Sequence, residues 1–262
     1  MSAAKVLGML AVLMLFMTAC GNGGEADGPG SEETIEGTIT ISAAASLTDA
    51  MNEIAEKFME EYPEVQVDYN FGGSGALSQQ IIKGAPADLF LSASEEHFKT
   101  VIDEGYIDAE NSTELLRNEL VLIAPEDNGT VTSFDDLSEA EQIAMGTAGS
   151  VPAGAYGAEV LDSMGMLEDL KGAFVYAEDV RGVLTYVETG NVDAGLVYRT
   201  DAKTSDKVEI IETAPEDTHA PIIYPAGMIN ESQNPDAAEK FYDYLQSEEA
   251  LEVFKDYGFV IE

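Results

Sequence analysis

The alternation of short apolar stretches with amphipathic segments constrains the fold more than any other feature of the sequence. Thr38 to Ser42 and Val65 to Tyr69 have the length and composition of strands. Between them, Leu47, Met51 and Ile54 recur at the spacing of one helix face. Further strands are predicted at Asp88 to Ala93, Leu120 to Ala124, Gln142 to Gly146, Ala173 to Tyr176 and Ala194 to Tyr198. This alternation predicts an α/β fold with largely parallel sheets.

The N-terminal segment differs from the rest of the chain. Lys5 supplies a positive charge, and Val6 to Ala19 form an apolar stretch that ends immediately before Cys20. The stretch has the length of a signal-peptide core and is short for a membrane span. We predict a signal peptide over residues 1–19 and, because the residues before Cys20 resemble a lipobox, lipidation of Cys20. The alternative is a plain signal peptide with an incidental cysteine.

Cys20 is the only cysteine in the chain, so a disulfide within the chain and a metal site made of several cysteines are both excluded. The residues that follow it are rich in glycine and acidic side chains and show no hydrophobic periodicity. Such a composition is typical of a flexible tether. We therefore predict a lipidated cysteine and flexible acidic linker over residues 20–35, with the folded part beginning at residue 36.

The charge of the chain is strongly negative. Fifty Asp and Glu residues stand against twelve Lys and Arg, for a formal net charge of −38. Such a surface repels nucleic acid and anionic lipid, so we predict no nucleic-acid partner. It would suit a protein that binds metal cations better than one that binds anions. The acidic residues are scattered along solvent-facing positions, however, which indicates adaptation of the surface, for example to high salt.

Four predicted junctions before helices carry small or capping residues. They are Ser46 to Asp49, Phe71 to Gly75, Ser150 to Gly154 and Asp179 to Gly182. The first has the Ser-x-x-Asp form of a capping box, and the second is a Gly/Ser turn. A helix N-terminus offers free N–H donors and the positive end of the peptide dipole, so it can bind an anion without a charged side chain. Ordinary helix capping explains each junction equally well when it is taken alone.

The sequence also allows two other kinds of site, a serine-hydrolase site and a ferric-iron site. Gly72 to Ala76 nearly matches the Gly-x-Ser-x-Gly turn of serine hydrolases, but the last glycine is replaced by Ala76. The two histidines, His97 and His219, have no catalytic motif around them. Some of the eleven tyrosines could bind ferric iron, but the chain has no adjacent Tyr-Tyr pair. Both alternatives, a serine-type enzyme and a binder of metal cations, stay open at this point.

Seven sequence blocks resemble the molybdate-binding proteins of ABC importers and follow the order found in that family. The blocks are Ala43 to Ala50, Phe71 to Leu77, Gly84 to Phe90, Val151 to Gly154, Glu178 to Gly182, Gly195 to Tyr198 and Phe241 to Phe259. Together they cover essentially the whole domain after the linker. The first block and the Val-Pro-Ala-Gly block are the most distinctive.

The resemblance implies a type II periplasmic-binding-protein fold, with two α/β lobes joined by two crossovers and a ligand cleft between them. Lobe 1 would comprise residues 36–119 and 222–262, and lobe 2 residues 120–221. The crossovers would fall near Asn118 to Val121 and near Ala220 to Tyr224.

The resemblance also implies a ligand and the residues that bind it. Ser46 and Ser74 would donate hydroxyl and main-chain N–H groups, Ala153 and Val180 main-chain N–H groups, and Tyr198 its phenol. Other members carry serines where this chain has Gly73 and Gly75, which removes possible donors. The ligand would be molybdate or tungstate, with no further cofactor and no metal site apart from the metal-centred oxyanion. Arg181 is expected to support its loop rather than touch the ligand.

Taken together, these features predict a non-enzymatic binding protein of an ABC importer. It would be exported, lipid-anchored on the extracytoplasmic face of the cell membrane, monomeric, and would deliver its oxyanion to the membrane permease. The alternatives are a binding protein for another oxyanion or for a metal cation, and a serine-type enzyme on the same scaffold.

Overall fold

The computed structural model describes residues 35–126 and 130–261. The predicted signal peptide, Cys20 and the predicted linker up to residue 34 lie outside the described residues. In the part that is described, no helix is long and apolar enough to cross a membrane.

Strands and helices alternate along the described chain, as the sequence pattern predicts. The strands are β1 (Gly37–Ala44), β2 (Val65–Gly72), β3 (Leu89–Leu91), β4 (Ser112–Arg117), β5 (Leu120–Pro125), β6 (Ile143–Gly146), β7 (Phe174–Ala177), β8 (Ala194–Tyr198), β9 (Val208–Thr213) and β10 (Ile223–Met228). The helices are α1 (Thr48–Glu61), α2 (Ser74–Ile82), α3 (Glu95–Asp103), α4 (Pro152–Ser163), α5 (Leu167–Leu170), α6 (Val180–Glu188), α7 (Arg199–Ala202), α8 (Pro235–Leu245) and α9 (Glu248–Asp256).

The strands form two five-stranded mixed sheets. The first has the order β2-β1-β3-β10-β4, in which β1 runs parallel to β2 and β3 while β10 runs antiparallel to β3 and β4. The second has the order β7-β6-β8-β5-β9, in which β6 runs parallel to β7 and β8 while β5 runs antiparallel to β8 and β9. Two α/β lobes, each built on one sheet, confirm the predicted fold class.

The chain passes between the two sheets twice, at residues 118–119 and again at residues 214–222. The first sheet therefore draws its strands from residues 37–117 and 223–228, and the second from residues 120–213. The lobe boundaries given above, 36–119 with 222–262 and 120–221, stay a prediction.

Helix α1 shows how the lobes are covered. It buries one face, formed by Ala50, Met51, Ile54, Ala55 and Phe58. The Phe58 ring meets the Phe241 ring of α8 edge-on, with 4.9 Å between their centroids. Burial of a large apolar side chain of this kind contributes about 1.5–3 kcal/mol to folding. The helical spacing predicted from the sequence therefore corresponds to the face that packs on the core.

The interpretation of Ser46 as the start of a capping box is wrong. The residue that caps α1 is Leu47, which makes no side-chain cap, and Ser46 lies one step earlier in a short 3₁₀ turn over Ala45–Leu47. The hydroxyl of Ser46 is instead paired with the phenol of Tyr224. A tertiary contact thus replaces the local one that the sequence indicated, and it fixes Ser46 with respect to the first sheet.

Candidate binding site

A small cavity lies where the N-terminal ends of α2, α4 and α6 meet. Its volume is about 10 Å³, room for about one water molecule and far below the roughly 300–1,000 Å³ of pockets for drug-sized ligands. All five predicted site residues line it, namely Ser46, Ser74, Ala153, Val180 and Tyr198. The rest of its lining is Ala44, Ala45, Gly72, Gly73, Ala93, Val151 and Pro152. The lining carries no charged side chain and is rich in small residues, so a ligand here would meet neutral donors.

Ser46 is held by a chain of hydrogen bonds that begins where the chain first passes between the sheets. The amide nitrogen of Asn118 donates to the Tyr224 phenol oxygen over 3.2 Å and to Thr200 Oγ1 over 2.8 Å. The Tyr224 and Ser46 oxygens are 2.9 Å apart. Because an amide NH₂ can only donate, the Tyr224 proton is free to point at Ser46 Oγ. The Ser46 proton then remains available to a ligand.

Burial raises the pKa of the Tyr224 phenol well above its ordinary value. The phenol therefore keeps its proton at every physiological pH and can act as the donor to Ser46. Sequence reasoning missed both Tyr224 and Asn118. Tyr224 falls in a segment that was predicted as a crossover, and a separation of 106 positions along the chain leaves no local signal for its contact with Asn118.

Ser74 is the first residue of α2 and is almost completely buried. Its Oγ accepts a hydrogen bond from the main-chain N–H of Ala93 at 2.9 Å, which leaves the hydroxyl proton free to donate. The His219 ring is paired with the carbonyl of Ala220. In the part of the chain that the structure describes, neither histidine is hydrogen-bonded to Ser74. The serine is thus arranged as a donor and is not paired with either histidine.

The second lobe offers main-chain donors at two helix starts. Ala153 follows Pro152 at the beginning of α4, and Val180 is the first residue of α6. N–H groups in the first turn of a helix have no partner within that helix, and proline is well suited to the first position. Asp179 caps α6 by accepting from the Gly182 N–H at 2.8 Å. The Val180 N–H is not used by that cap.

Tyr198 supplies an unpaired phenol to the cavity. It ends the buried strand β8, its side chain is 1% exposed, and its Oη has no hydrogen-bond partner. The nearby Tyr224 ring contacts it edge-on, at 5.8 Å between centroids, but the Tyr224 phenol is engaged with Ser46 and Asn118. Burial raises the pKa of Tyr198 well above its ordinary value, so the phenol stays protonated. A buried donor without a partner costs free energy, which a bound acceptor would recover.

The two lobes also contact each other directly beside the cavity. The Gly75 N–H at the start of α2 donates to the Ser150 carbonyl at 2.9 Å. A Cβ added at Gly75 would lie 2.7 Å from Ser150 Cα, and one added at Gly73 would lie 2.7 Å from the Ser150 carbonyl oxygen. The two glycines therefore permit a close approach of the lobes. The sequence interpretation placed them in a Gly/Ser turn and noted the lost hydroxyl donors, but it did not predict this contact between the lobes.

Two α/β lobes around a small cleft, with donors from both lobes, are the architecture of a solute-binding protein. The family model for bacterial extracellular solute-binding proteins matches residues 39–260. The chain belongs to this family.

Similar proteins agree with this assignment. The Bacillus subtilis lipoprotein YvgL, provisionally assigned as a substrate-binding protein of an ABC transporter, is 48% identical over 254 residues, covering 97% of each chain. The molybdate-binding protein ModA of Escherichia coli is 40% identical over 86% of this chain and 90% of its own length. Among solved structures, the substrate-binding domain of a provisionally assigned molybdenum ABC transporter of Clostridium difficile is 40% identical, with a TM-score of 0.66 over 86% of this chain and 99% of that one.

Proposed function

We propose that this protein captures a tetrahedral oxyanion, molybdate or tungstate, outside the cytoplasm and delivers it to the permease of an ABC importer. The observation that carries the proposal is the convergence of neutral donors from both lobes on one small cavity, among them the buried and unpaired Tyr198 phenol. The names of the relatives, molybdate-binding in E. coli and molybdenum transport in C. difficile, support the choice of ligand.

The chemistry of the donors favours an anion over the alternatives. Ser46, Ser74 and Tyr198 would each donate a hydroxyl proton, and Ala153 and Val180 their main-chain N–H groups. Hydrogen bonds to a charged acceptor contribute about 1.5–3 kcal/mol each, before the costs of ordering and desolvation. A metal cation would need oxygen ligands with negative charge, and no Asp or Glu lines the cavity. We therefore infer binding without catalysis, by a monomer that closes on its ligand.

Molybdate or tungstate should raise the melting temperature far more than sulfate or phosphate. At a thousandfold excess over Kd, a ligand specific for the folded state adds about 4 kcal/mol, or about 8–16 °C for a domain of this size. The Ser46 and Ser74 oxygens are already engaged in hydrogen bonds, which leaves few acceptors for a protonated phosphate, and we expect a cleft closed on the larger ions to hold sulfate less tightly. Differential scanning fluorimetry with the four anions measures this. Equal shifts from all four would contradict the proposed selectivity.

Tyr198→Phe tests the site directly. The variant removes a phenol that has no partner in the unliganded structure, so its own melting temperature should stay unchanged or rise. The shift produced by molybdate should shrink, since one donor to a charged acceptor is lost. Tyr176→Phe, at a side chain that is 52% exposed, makes the same chemical change away from the cavity and should respond like the parent protein. A full molybdate shift in Tyr198→Phe would place the ligand elsewhere.

The membrane anchor is a further part of the proposal. Cys20 lies outside the described residues, and the support for its lipidation is the lipobox-like sequence before it and the lipoprotein name of the B. subtilis relative. Cys20→Ala should move the protein from the membrane fraction to the soluble fraction, because the diacylated cysteine is the proposed anchor. Fractionation followed by immunoblotting measures this. Retention of the variant in the membrane fraction would show that Cys20 is not the anchor.

A further inference from the structure

Arg181 joins the two lobes at the edge of the cavity without lining it. It follows Val180 in the first turn of α6, which lies between β7 and β8 of the second sheet. One guanidinium nitrogen pairs with the carboxylate of Asp49. Asp49 lies in the first turn of α1, between β1 and β2 of the first sheet. The ion pair therefore crosses from one lobe to the other.

The guanidinium is also fixed on its own lobe. Its other terminal nitrogen donates to Thr204 Oγ1 at 2.8 Å and lies 3.6 Å from Asp201 Oδ1. Asp201 is fully buried, and neither of its carboxylate oxygens has a hydrogen-bond partner. Burial raises the pKa of this carboxyl to about 7, and the positive charge of Arg181 opposes that rise. Arg181 thus offers Asp49 a cation that is already held in place.

An ion pair of this kind acts differently from a surface pair. The Arg181 side chain is 27% exposed and that of Asp49 39%, and both lie on helices rather than on loops. Because the guanidinium is held by Thr204 and Asp201, little side-chain freedom is lost when Asp49 arrives. The pair exists only while the lobes are together, so its free energy adds to the closed form and not to the open one.

We propose that Arg181 is a positioning residue that holds the two lobes closed through its ion pair with Asp49 and so slows release of the ligand without touching it. This inference rests on the proposed function for its ligand, but the closure itself concerns residues that lie outside the cavity lining. The side chain of Arg181 is directed to carboxylates on both lobes and not into the cavity. This explains why a cation lies beside an anion site whose lining has no charged side chain.

The test compares Asp49→Asn, Arg181→Gln and the double variant of the full chain. Stopped-flow tyrosine fluorescence gives the association and dissociation rates of molybdate. Molybdate should dissociate about fivefold faster from each single variant, with a nearly unchanged association rate. It should dissociate no faster from the double variant, because all three variants remove the same ion pair. Added salt should speed release from the parent protein but not from the double variant. Arg181→Lys, which keeps the charge, should restore part of the slow release.

Glu56→Gln is the matched control, because it removes the same charge from an exposed position of the same helix, α1. A second measurement does not depend on the ligand. Hydrogen exchange of the Gly75 N–H, which is bonded to Ser150 across the cleft, should be faster in ligand-free Asp49→Asn than in Glu56→Gln. If the parent protein binds none of the four anions, the proposed function is wrong. The role of Arg181 in closure is then tested by hydrogen exchange of the Gly75 N–H alone. Dissociation or exchange rates equal to those of Glu56→Gln would overturn the role of Arg181.

Discussion

Gly154→Ala is expected to lower the free energy of unfolding by about 3 kcal/mol or more, although alanine is normally favoured over glycine in a helix by roughly 0.5–1 kcal/mol. Gly154 lies in the first turn of α4, where that helix meets the end of β6. A Cβ at this position would lie 2.0 Å from the Gly146 carbonyl oxygen and 2.5 Å from its carbon. These are main-chain atoms of a buried strand, so they cannot move aside as a flexible side chain could.

Urea unfolding of the parent protein and of Gly154→Ala measures this loss of stability. Gly149→Ala is the matched control, because a Cβ there would meet nothing within 4 Å, and we expect it to change the free energy of unfolding by less than about 0.5 kcal/mol. Any Gly154→Ala protein that still folds should also bind molybdate more weakly, since α4 must move away from β6 and take the Ala153 N–H with it. Equal stability of the two alanine variants would mean that α4 packs differently from the arrangement described.

Asp201→Asn should increase the free energy of unfolding at neutral pH, because it removes the cost of burying a charged carboxylate. Burial raises the pKa of Asp201 from 3.8 to about 7, so between these values the folded state keeps a proton that the unfolded state has lost. The free energy of unfolding therefore falls as the pH rises through this window, and the full cost is present above pH 7. A difference of about three pKa units corresponds to at most about 4 kcal/mol. Asparagine does not titrate and avoids this cost.

The expected result is a gain in stability of the variant over the parent protein that is near zero at pH 4 and grows up to about pH 7–8. The pKa of about 7 already includes the opposing charge of Arg181, so the expected gain is not reduced further for that ion pair. Thermal or urea unfolding at several pH values, read as variant minus parent, cancels the contribution of the many other acidic groups. Asp206→Asn, at an exposed position of the neighbouring segment, is the control. A gain that does not change with pH would rule out a titrating buried carboxyl at residue 201.

The elements that could be predicted from the sequence are those with a clear hydrophobic period. The strand over Ala194–Tyr198 agrees at both ends, because every residue in it is buried. The strand predicted at Thr38 to Ser42 extends to Gly37–Ala44. The junction predicted at Asp179 to Gly182 lies mostly inside its helix, which begins at Val180 because Asp179 caps it by accepting from the Gly182 N–H. Strong periodicity therefore located the centres of elements better than their ends.

The strands that sequence reasoning missed have compositions that argue against a strand. Residues Val208–Thr213 and Ser112–Arg117 form edge strands, with polar and charged side chains among the apolar ones. Strand β10 lies inside the first sheet but contains Pro225 and Gly227, residues that weaken a central strand. The structure accommodates Pro225 at a shift of register between Tyr224 and Pro225, where β10 pairs with β4. Only the neighbouring strands reveal that arrangement.

The candidate site was assembled from a family resemblance, and the structure brings its five residues together around one cavity. The residues that support it carry no local signal. Asn118 and Tyr224 become partners only when the two passes between the lobes lie side by side, and Asp201 occupies a short polar segment that resembles a helix surface. Contacts between distant parts of the chain decide these roles, and a single sequence does not encode them as a pattern.

The order of strands has a consequence for how the chain folds during synthesis, which proceeds from the N-terminus. All five strands of the second sheet come from residues 120–213, so that sheet can assemble as soon as this stretch is available. The first sheet must wait, because β10 has to insert between β3 and β4. Until residue 228 has emerged, β3 therefore exposes an open edge to other chains. A truncation before β10 should accordingly leave a folded second lobe beside an aggregation-prone first one.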